Sequence, residues 1–177
     1  MAPDARRPLG DGVQLIVPAT AHELAQCREI FRDYAASLQV DLCFQGFEAE
    51  LANLPGDYAA EAGGRLYLAL VDGEVAGCGA VRRITDVDHV NACEMKRLFV
   101  RHAYRRYGLG RTLAVALIDA GGEVGYSSRR LDRGDDREAA RELYARLGFV
   151  EVPPYYFNPI PGAHYLCVNL DGSGSRY

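Results

Sequence analysis

The residues best suited to chemistry lie in RHAYRRYGLGR, residues 101–111, where Arg101, Arg105, Arg106 and Arg111 surround Gly108 and Gly110. The preceding Met95–Val100 is bulky and apolar, as a strand requires, and Leu109, Leu113, Leu117 and Ile118 follow at helical spacing. A helix start exposes N–H groups that no carbonyl of the helix accepts, and its dipole end is positive. Glycines let the backbone approach an anion closely and arginines add charge, so phosphate is the ligand this turn suits. Two familiar phosphate motifs fail. A dinucleotide fingerprint needs a third glycine where Leu113 stands, and a P-loop needs Gly-Lys-Ser/Thr where the chain has Gly110-Arg111-Thr112. What remains, Arg105-x-x-Gly108-x-Gly110, reads as a cradle for the diphosphate of a large cofactor. A turn that merely starts a helix is the alternative.

Little else in the chain offers a reactive cluster. Cys27, Cys43, Cys78, Cys93 and Cys167 are scattered without a CxxC pair, and His22, His89, His102 and His164 are isolated, so no metal site is expected. Such cysteines fit reduced, buried thiols in a cytoplasmic protein. A net charge of −4 argues against a dedicated nucleic-acid binder, although arginines concentrate between 97 and 146. The sequence has no apolar run long enough to span a membrane, and its N-terminus has no apolar core of a secretory signal. With 177 residues, one domain of ordinary size is expected.

The elements that must position the turn can be read in order. Residues 1–12 read as a flexible arm, 13–170 as a single domain and 171–177 as a loose tail. Val13–Val17 supplies a first strand. Thr20 and Glu23 form a capping box ahead of a helix whose stripe is Leu24, Cys27, Phe31, Tyr34 and Leu38. A short helix, Phe47–Leu54, stops before Pro55-Gly56. Arg65–Val71 and Glu74–Arg83 are strands joined by Asp72-Gly73, a two-residue hairpin signal, and the opening strand follows them in a meander. After a helix over Leu109–Ala120 come a strand at Arg130–Asp132, a helix at Asp136–Leu147 closed by Gly148, and strands at Phe149–Val152 and Ala163–Leu170.

The turn pattern, entered from an apolar strand and left through a helix, resembles the signature of the GNAT N-acetyltransferases. ARELYARLGF, residues 140–149, resembles the second signature of that family, in which a tyrosine precedes a Leu-Gly-Phe strand start. The order of elements is also similar, so the resemblance spans most of Val13–Leu170. It implies an α/β fold with a mixed, mostly antiparallel central sheet, helices on both faces, and strands splayed at the cofactor site. It further implies acetyl-CoA as donor and no metal.

The resemblance also implies roles. Backbone amides from Arg106 through Tyr107, Gly108, Leu109 and Gly110 to Arg111 would take the diphosphate, with Arg105 and Thr112 nearby. Leu98, Phe99 and Val100 would pair with the pantetheine as an added strand, and a bulge would leave an N–H as oxyanion donor. Tyr144 matches the tyrosine that protonates the departing thiolate, since a phenol keeps its proton at neutral pH. A core tyrosine beside Leu143 and Leu147 is the competing reading. Arg137 stands where many relatives have an asparagine against the cofactor. Glu94 is the candidate base, directly or through water, and alternation gives it the strand face of Lys96, Leu98 and Val100; a surface salt bridge with Lys96 is equally compatible.

For the acceptor, Phe44 and Gln45 between the two short helices and Tyr155, Tyr156 and Asn158 in a proline-rich loop form a mixture suited to a small polar substrate. The same aromatics could equally plug the core. The expected reaction is attack of an amine, of a small molecule or amino acid, on the thioester through a tetrahedral intermediate. A non-turnover acyl-CoA sensor and a protein or peptide N-acetyltransferase are the alternatives, and a homodimer is left open.

Overall fold

The computed structural model describes residues 6–8, 10, 12–38, 46–84, 91–133, 138–153 and 164–169. Helix α1 (Ala21–Ser37) starts at the capping box: the Thr20 hydroxyl accepts from the Glu23 amide at 3.1 Å, and the Glu23 carboxylate accepts from the Thr20 amide at 3.1 Å. The helix buries Cys27, Ile30 and Phe31 and ends with Leu38 as its C-cap. Helix α2 (Phe47–Ala52) buries Phe47 and Leu51 and stops ahead of Pro55.

Strands β1 (Arg6–Pro8), β2 (Val13–Ile16), β3 (Arg65–Val71), β4 (Glu74–Arg83), β5 (Ala92–Val100), β6 (Ser128–Arg133), β7 (Val150–Val152) and β8 (His164–Asn169) form one sheet in the order β1-β2-β3-β4-β5-β6-β8-β7. Asp72 and Gly73 both take positive φ, 49° and 83°, the left-handed pair that a tight hairpin between β3 and β4 needs. Among the described residues only β5 and β6 run parallel; the other neighbours are antiparallel, as expected of a mixed sheet.

Alternation along β4 sends its two sets of side chains to different cores. Cys78 and Ala80 join Phe31, Leu51 and Tyr58 under α1 and α2. Gly79 faces the other way, where an added Cβ would stand 2.8 Å from Leu117 of α3 (Leu109–Val124). Helix α4 (Glu138–Arg146) adds Leu143 and Tyr144 to the core on the α3 side, so helices cover both faces.

Three readings from sequence change. Part of the stretch expected as a flexible arm, Arg6–Pro8, pairs with β2 and forms the sheet edge. Helix α3 runs past Ala120 through Gly121-Gly122 to Val124, because tertiary contacts outweigh the weak helix preference of glycine. Finally, β5 and β6 each begin earlier than their most apolar residues, which places Glu94 inside a strand and the parallel pairing at its start.

Candidate active site

The site is built around β5. Its ladder with β4 slips by one residue: Cys78 stands opposite Phe99, but Ala80 stands opposite Lys96, so Gly79 alone faces both Arg97 and Leu98. This is a β-bulge. Arg97 carries it with φ of +60°, a left-handed conformation worth about 1–3 kcal/mol of strain for a residue with a Cβ. The surroundings hold it there. The Arg97 guanidinium is buried, donates to both Glu50 oxygens at 2.9 and 3.0 Å, and lies 5.5 Å from the centre of the Phe47 ring. Burial alone would make this guanidinium less basic, but Glu50, with Tyr58 and Tyr34, reverses the effect and keeps it charged. The Arg97 carbonyl accepts from the Cys78 thiol at 3.2 Å.

The bulge changes which residues share a face. Glu94, Lys96 and Phe99 lie opposite Arg82, Ala80 and Cys78 on the α1 side, so Leu98 and Val100 fall on the α3 side. The shared face expected for Glu94, Leu98 and Val100 is therefore corrected, because the extra residue at Arg97 resets the alternation.

On its other edge, β5 keeps its neighbour only briefly. Ala92–Glu94 pair with Ser128–Arg130, after which β6 continues beside β8 as far as Arg133 opposite His164. From Met95 onward the two parallel strands part. The Arg101 amide donates to Ala76 on β4 at 2.8 Å, and alternation turns the polar backbone of Val100 and Leu98 toward the gap. Consistent with this, the Val100 carbonyl accepts from Arg105 Nε at 3.4 Å.

Beyond β5, a 3₁₀ turn over His102–Tyr107 leads to Gly108, whose φ of +66° starts α3. Among the described residues no side chain caps this helix, and its first intrahelical bond is Thr112 N–H to Gly108 O at 3.2 Å, which leaves the amides of Leu109, Gly110 and Arg111 without an intrahelical acceptor. Among the described residues a Cβ built on Gly108 meets nothing within 4 Å, which leaves room for an anion before the helix. Arg105, Arg106 and Arg111 are exposed around it, and Arg106 lies 5.5 Å from the Tyr107 ring centre. The Thr112 hydroxyl donates back to Gly108 O at 3.2 Å. These features fit a diphosphate.

Tyr144 is half-buried, edge-on to Phe149 with ring centres 5.6 Å apart, and packs against the same core cluster as Leu98. It lines a cavity of about 350 Å³ with Arg141, Glu151, His164 and Leu166. Its neighbour Leu143 comes within 3.9 Å of the Cβ position of Gly110, so α4 lies directly beside the cradle.

Glu94 is 2% exposed. Its Oε1 accepts from Lys96 Nζ at 2.9 Å, and its Oε2 lies 3.8 Å from Arg82. The ion pair with Lys96 is thus formed, but inside the protein rather than on its surface. Phe44, Gln45, Arg137, Tyr155, Tyr156 and Asn158 lie outside the described residues.

Sequence reasoning passed over a group of residues on the α1 side: Glu50, Asp57, Tyr58, Arg82 and Arg97. Glu50, Asn53, Asp57, Tyr58 and Arg82 line a cavity of about 220 Å³. Tyr58 is 3% exposed, and burial, followed by the charge of the neighbouring Glu50, pushes its ionisation up. The signal was present in Glu94-x-Lys96-Arg97, three charges within a strand too apolar to be a surface element.

A sheet split beside an uncapped basic helix start, with a bulge at the split, is the framework of an acyl-group transferase. The Acetyltransferase (GNAT) family profile matches residues 25–149. An uncharacterised N-acetyltransferase of Schizosaccharomyces pombe is 35% identical over 148 residues, covering 84% of this chain and 89% of that protein. Among solved structures, an acetyltransferase from Streptococcus agalactiae superposes with a TM-score of 0.74 at 19% identity, covering 91% of this chain and 100% of that one. A Salmonella typhimurium protein described as an acetyltransferase, solved with its cofactor acetyl-CoA, gives 0.68 at 19% identity over 94% and 98%. The chain belongs to the GNAT family and is an acetyl-CoA-dependent N-acetyltransferase.

Among the described residues, no helix is long and apolar enough to cross a membrane, and no group of three His, Cys, Asp or Glu could hold a metal.

Proposed function

We propose that this chain acetylates the amine of a small molecule or amino acid. The observation that carries the reading is the bulge at Arg97, made against β4 in the stretch of β5 whose opposite edge β6 leaves open. There a pantetheine arm can add to the strand through backbone bonds with Leu98 and Val100 while a displaced N–H serves the thioester oxygen. The cradle of Gly108, Leu109, Gly110 and Arg111, with Arg105, Arg106 and Thr112 around it, suits the diphosphate. When bound, the donor supplies an activated acetyl group on a thiolate leaving group.

Acid and base then belong to opposite faces of the sheet, the base serving the amine nitrogen and the acid the sulfur of the thioester. Glu94 lies on the α1 side and accepts the amine proton, directly or through water. Its contact with Lys96 occupies one oxygen at 2.9 Å, while the other lies 3.8 Å from Arg82. Tyr144, packed on the α3 side, gives its phenolic proton to sulfur as the C–S bond breaks and the C–N bond holds. Four buried cysteines, Cys27, Cys78, Cys93 and Cys167, none in a disulfide, support a reducing, cytoplasmic setting.

The test is CoA release across a panel of amines and amino acids. Wild type should turn over, and Tyr144→Phe should lose about 10²- to 10⁴-fold in kcat with KM for acetyl-CoA little changed. Wild-type kcat in Tyr144→Phe removes the acid assignment, and wild-type kcat in Glu94→Gln gives the base role to water. Tight CoA binding without transfer to any amine would favour the sensor reading.

A further inference from the structure

We infer that the cavity between α2 and β4 is the acceptor pocket and that it selects amines bearing a carboxylate, with Arg82 as the carboxylate's partner. This rests on the reading of the chain as an acetyltransferase of small amines and adds which amines it takes. The cavity, about 220 Å³, adjoins the transfer site by two routes. Its wall residue Glu50 holds the bulge residue Arg97, and its wall residue Arg82 reaches toward Glu94.

Charge decides the class of ligand. Glu50 is matched by Arg97 and Glu94 by Lys96, each through a contact of 2.9 Å. Arg82 and Asp57 remain, at opposite charge, so the whole group is neutral. An entering simple cation would unbalance this neutral group, whereas a zwitterion would keep it balanced. Arg82 is also held loosely: Asp57 stands 3.9 Å and Glu94 3.8 Å from its terminal nitrogens, beyond hydrogen-bond reach, and its buried Nε has no partner among the described residues. A guanidinium fork in this state is ready for a carboxylate, which it can grip with two parallel bonds. The Tyr58 hydroxyl, buried beside Glu50, is a further polar group on the wall. The ammonium end of the same ligand then falls to Asp57 on the cavity wall, on the side where Arg82 reaches toward Glu94, the candidate base.

The measurement is kcat/KM over the standard amino acids, each compared with its decarboxylated amine and its methyl ester at saturating acetyl-CoA. At least one amino acid should exceed both its analogues about ten- to hundredfold, as charged hydrogen bonds allow. Arg82→Gln should erase that preference by raising the amino-acid KM, leave KM for acetyl-CoA unchanged, and Arg82→Lys should restore part of it. Tyr58→Phe should raise the amino-acid KM by less than Arg82→Gln does. Analogues that match or beat every amino acid, or an Arg82→Gln loss equal for all three ligand types, would overturn the pocket assignment while leaving the acetyltransferase reading intact. If nothing is acetylated, calorimetry of the same amino acids and amines on the acetyl-CoA-bound protein decides: amino-acid binding lost in Arg82→Gln sustains the pocket, and no binding rejects it.

Discussion

Arg97 is a residue that ordinary preferences would keep out of its place. It is a charged side chain at 4% exposure with a left-handed backbone in the middle of a sheet. It stays because Glu50 answers the charge with two hydrogen bonds and Phe47 covers the guanidinium face. Removing one member of a buried pair costs about 3–5 kcal/mol, since the other is left uncompensated. Glu50 keeps 17% side-chain exposure, so solvent softens that loss toward the lower end. Arg97→Ala should therefore lose about 3 kcal/mol of unfolding free energy in urea. Arg97→Gly should recover about 1 kcal/mol of that loss, because glycine adopts positive φ without strain. Equal stability of the alanine and glycine variants would mean that the backbone conformation carries no strain. The bulge also explains a limit of sequence reading at this scale. Period-two alternation places Glu94, Lys96, Leu98 and Val100 on one face, and nothing local to EMKRLFV announces the extra residue, which is defined only against β4.

At the scale of elements, α3 carries the proposed diphosphate cradle at one end and a tight contact at the other. Its start was legible, because Gly108 ahead of the helically spaced Leu109, Leu113 and Leu117 marks a helix entry. Gly108→Glu puts a side chain and a negative charge into the open space before the helix, and calorimetry should show CoA binding lost. Its end was not legible. Gly121-Gly122 reads as a stop by propensity, yet the helix continues because Gly121 lets Arg129 come close: an added Cβ would lie 2.8 Å from Arg129 Nε and 3.1 Å from Cys93 Sγ. Arg129 is fully buried and bonded to the Ile118 carbonyl at 3.0 Å, so it has little room to withdraw. Gly121→Ala thus gains about 1 kcal/mol of helix preference and loses about 1–3 kcal/mol to overpacking, more once the guanidinium is displaced from its acceptor. Its denaturation midpoint should fall, whereas Gly122→Ala, at an exposed position of the same helix, should raise it. Capping boxes and an Asp-Gly hairpin are local chemistry and were readable; helix ends set by a partner strand are not.

The split of β5 from β6 belongs to the whole molecule, since it depends on β8 drawing β6 away after three shared positions. A two-faced core makes such a split tolerable, because the cluster on the α3 side packs residues from both sides of the split together. Those cores also bury the thiols, and this gives the protein a predictable response to alkali. Burial pushes Cys27 and Cys93 from the ordinary 9.0 up to about 12, and raises Cys78 and Cys167 as well. Below pH 9 both folded and unfolded chains hold these protons, so the thiols leave stability unchanged. Above it the unfolded chain releases them while the fold retains them, so stability falls as pH rises from about 9 toward 12, by up to about 1.4 kcal/mol per pH unit for each thiol. Tyrosines and lysines titrate in the same window, so the wild-type slope alone cannot isolate the effect. Cys27→Ala can: it lowers the urea midpoint at pH 8 by leaving a small cavity, but its midpoint should then fall less steeply between pH 8 and 10.5 than that of wild type. Parallel slopes for the two proteins would show that the Cys27 thiol ionises as readily in the fold as in the unfolded chain, contrary to its complete burial under α1.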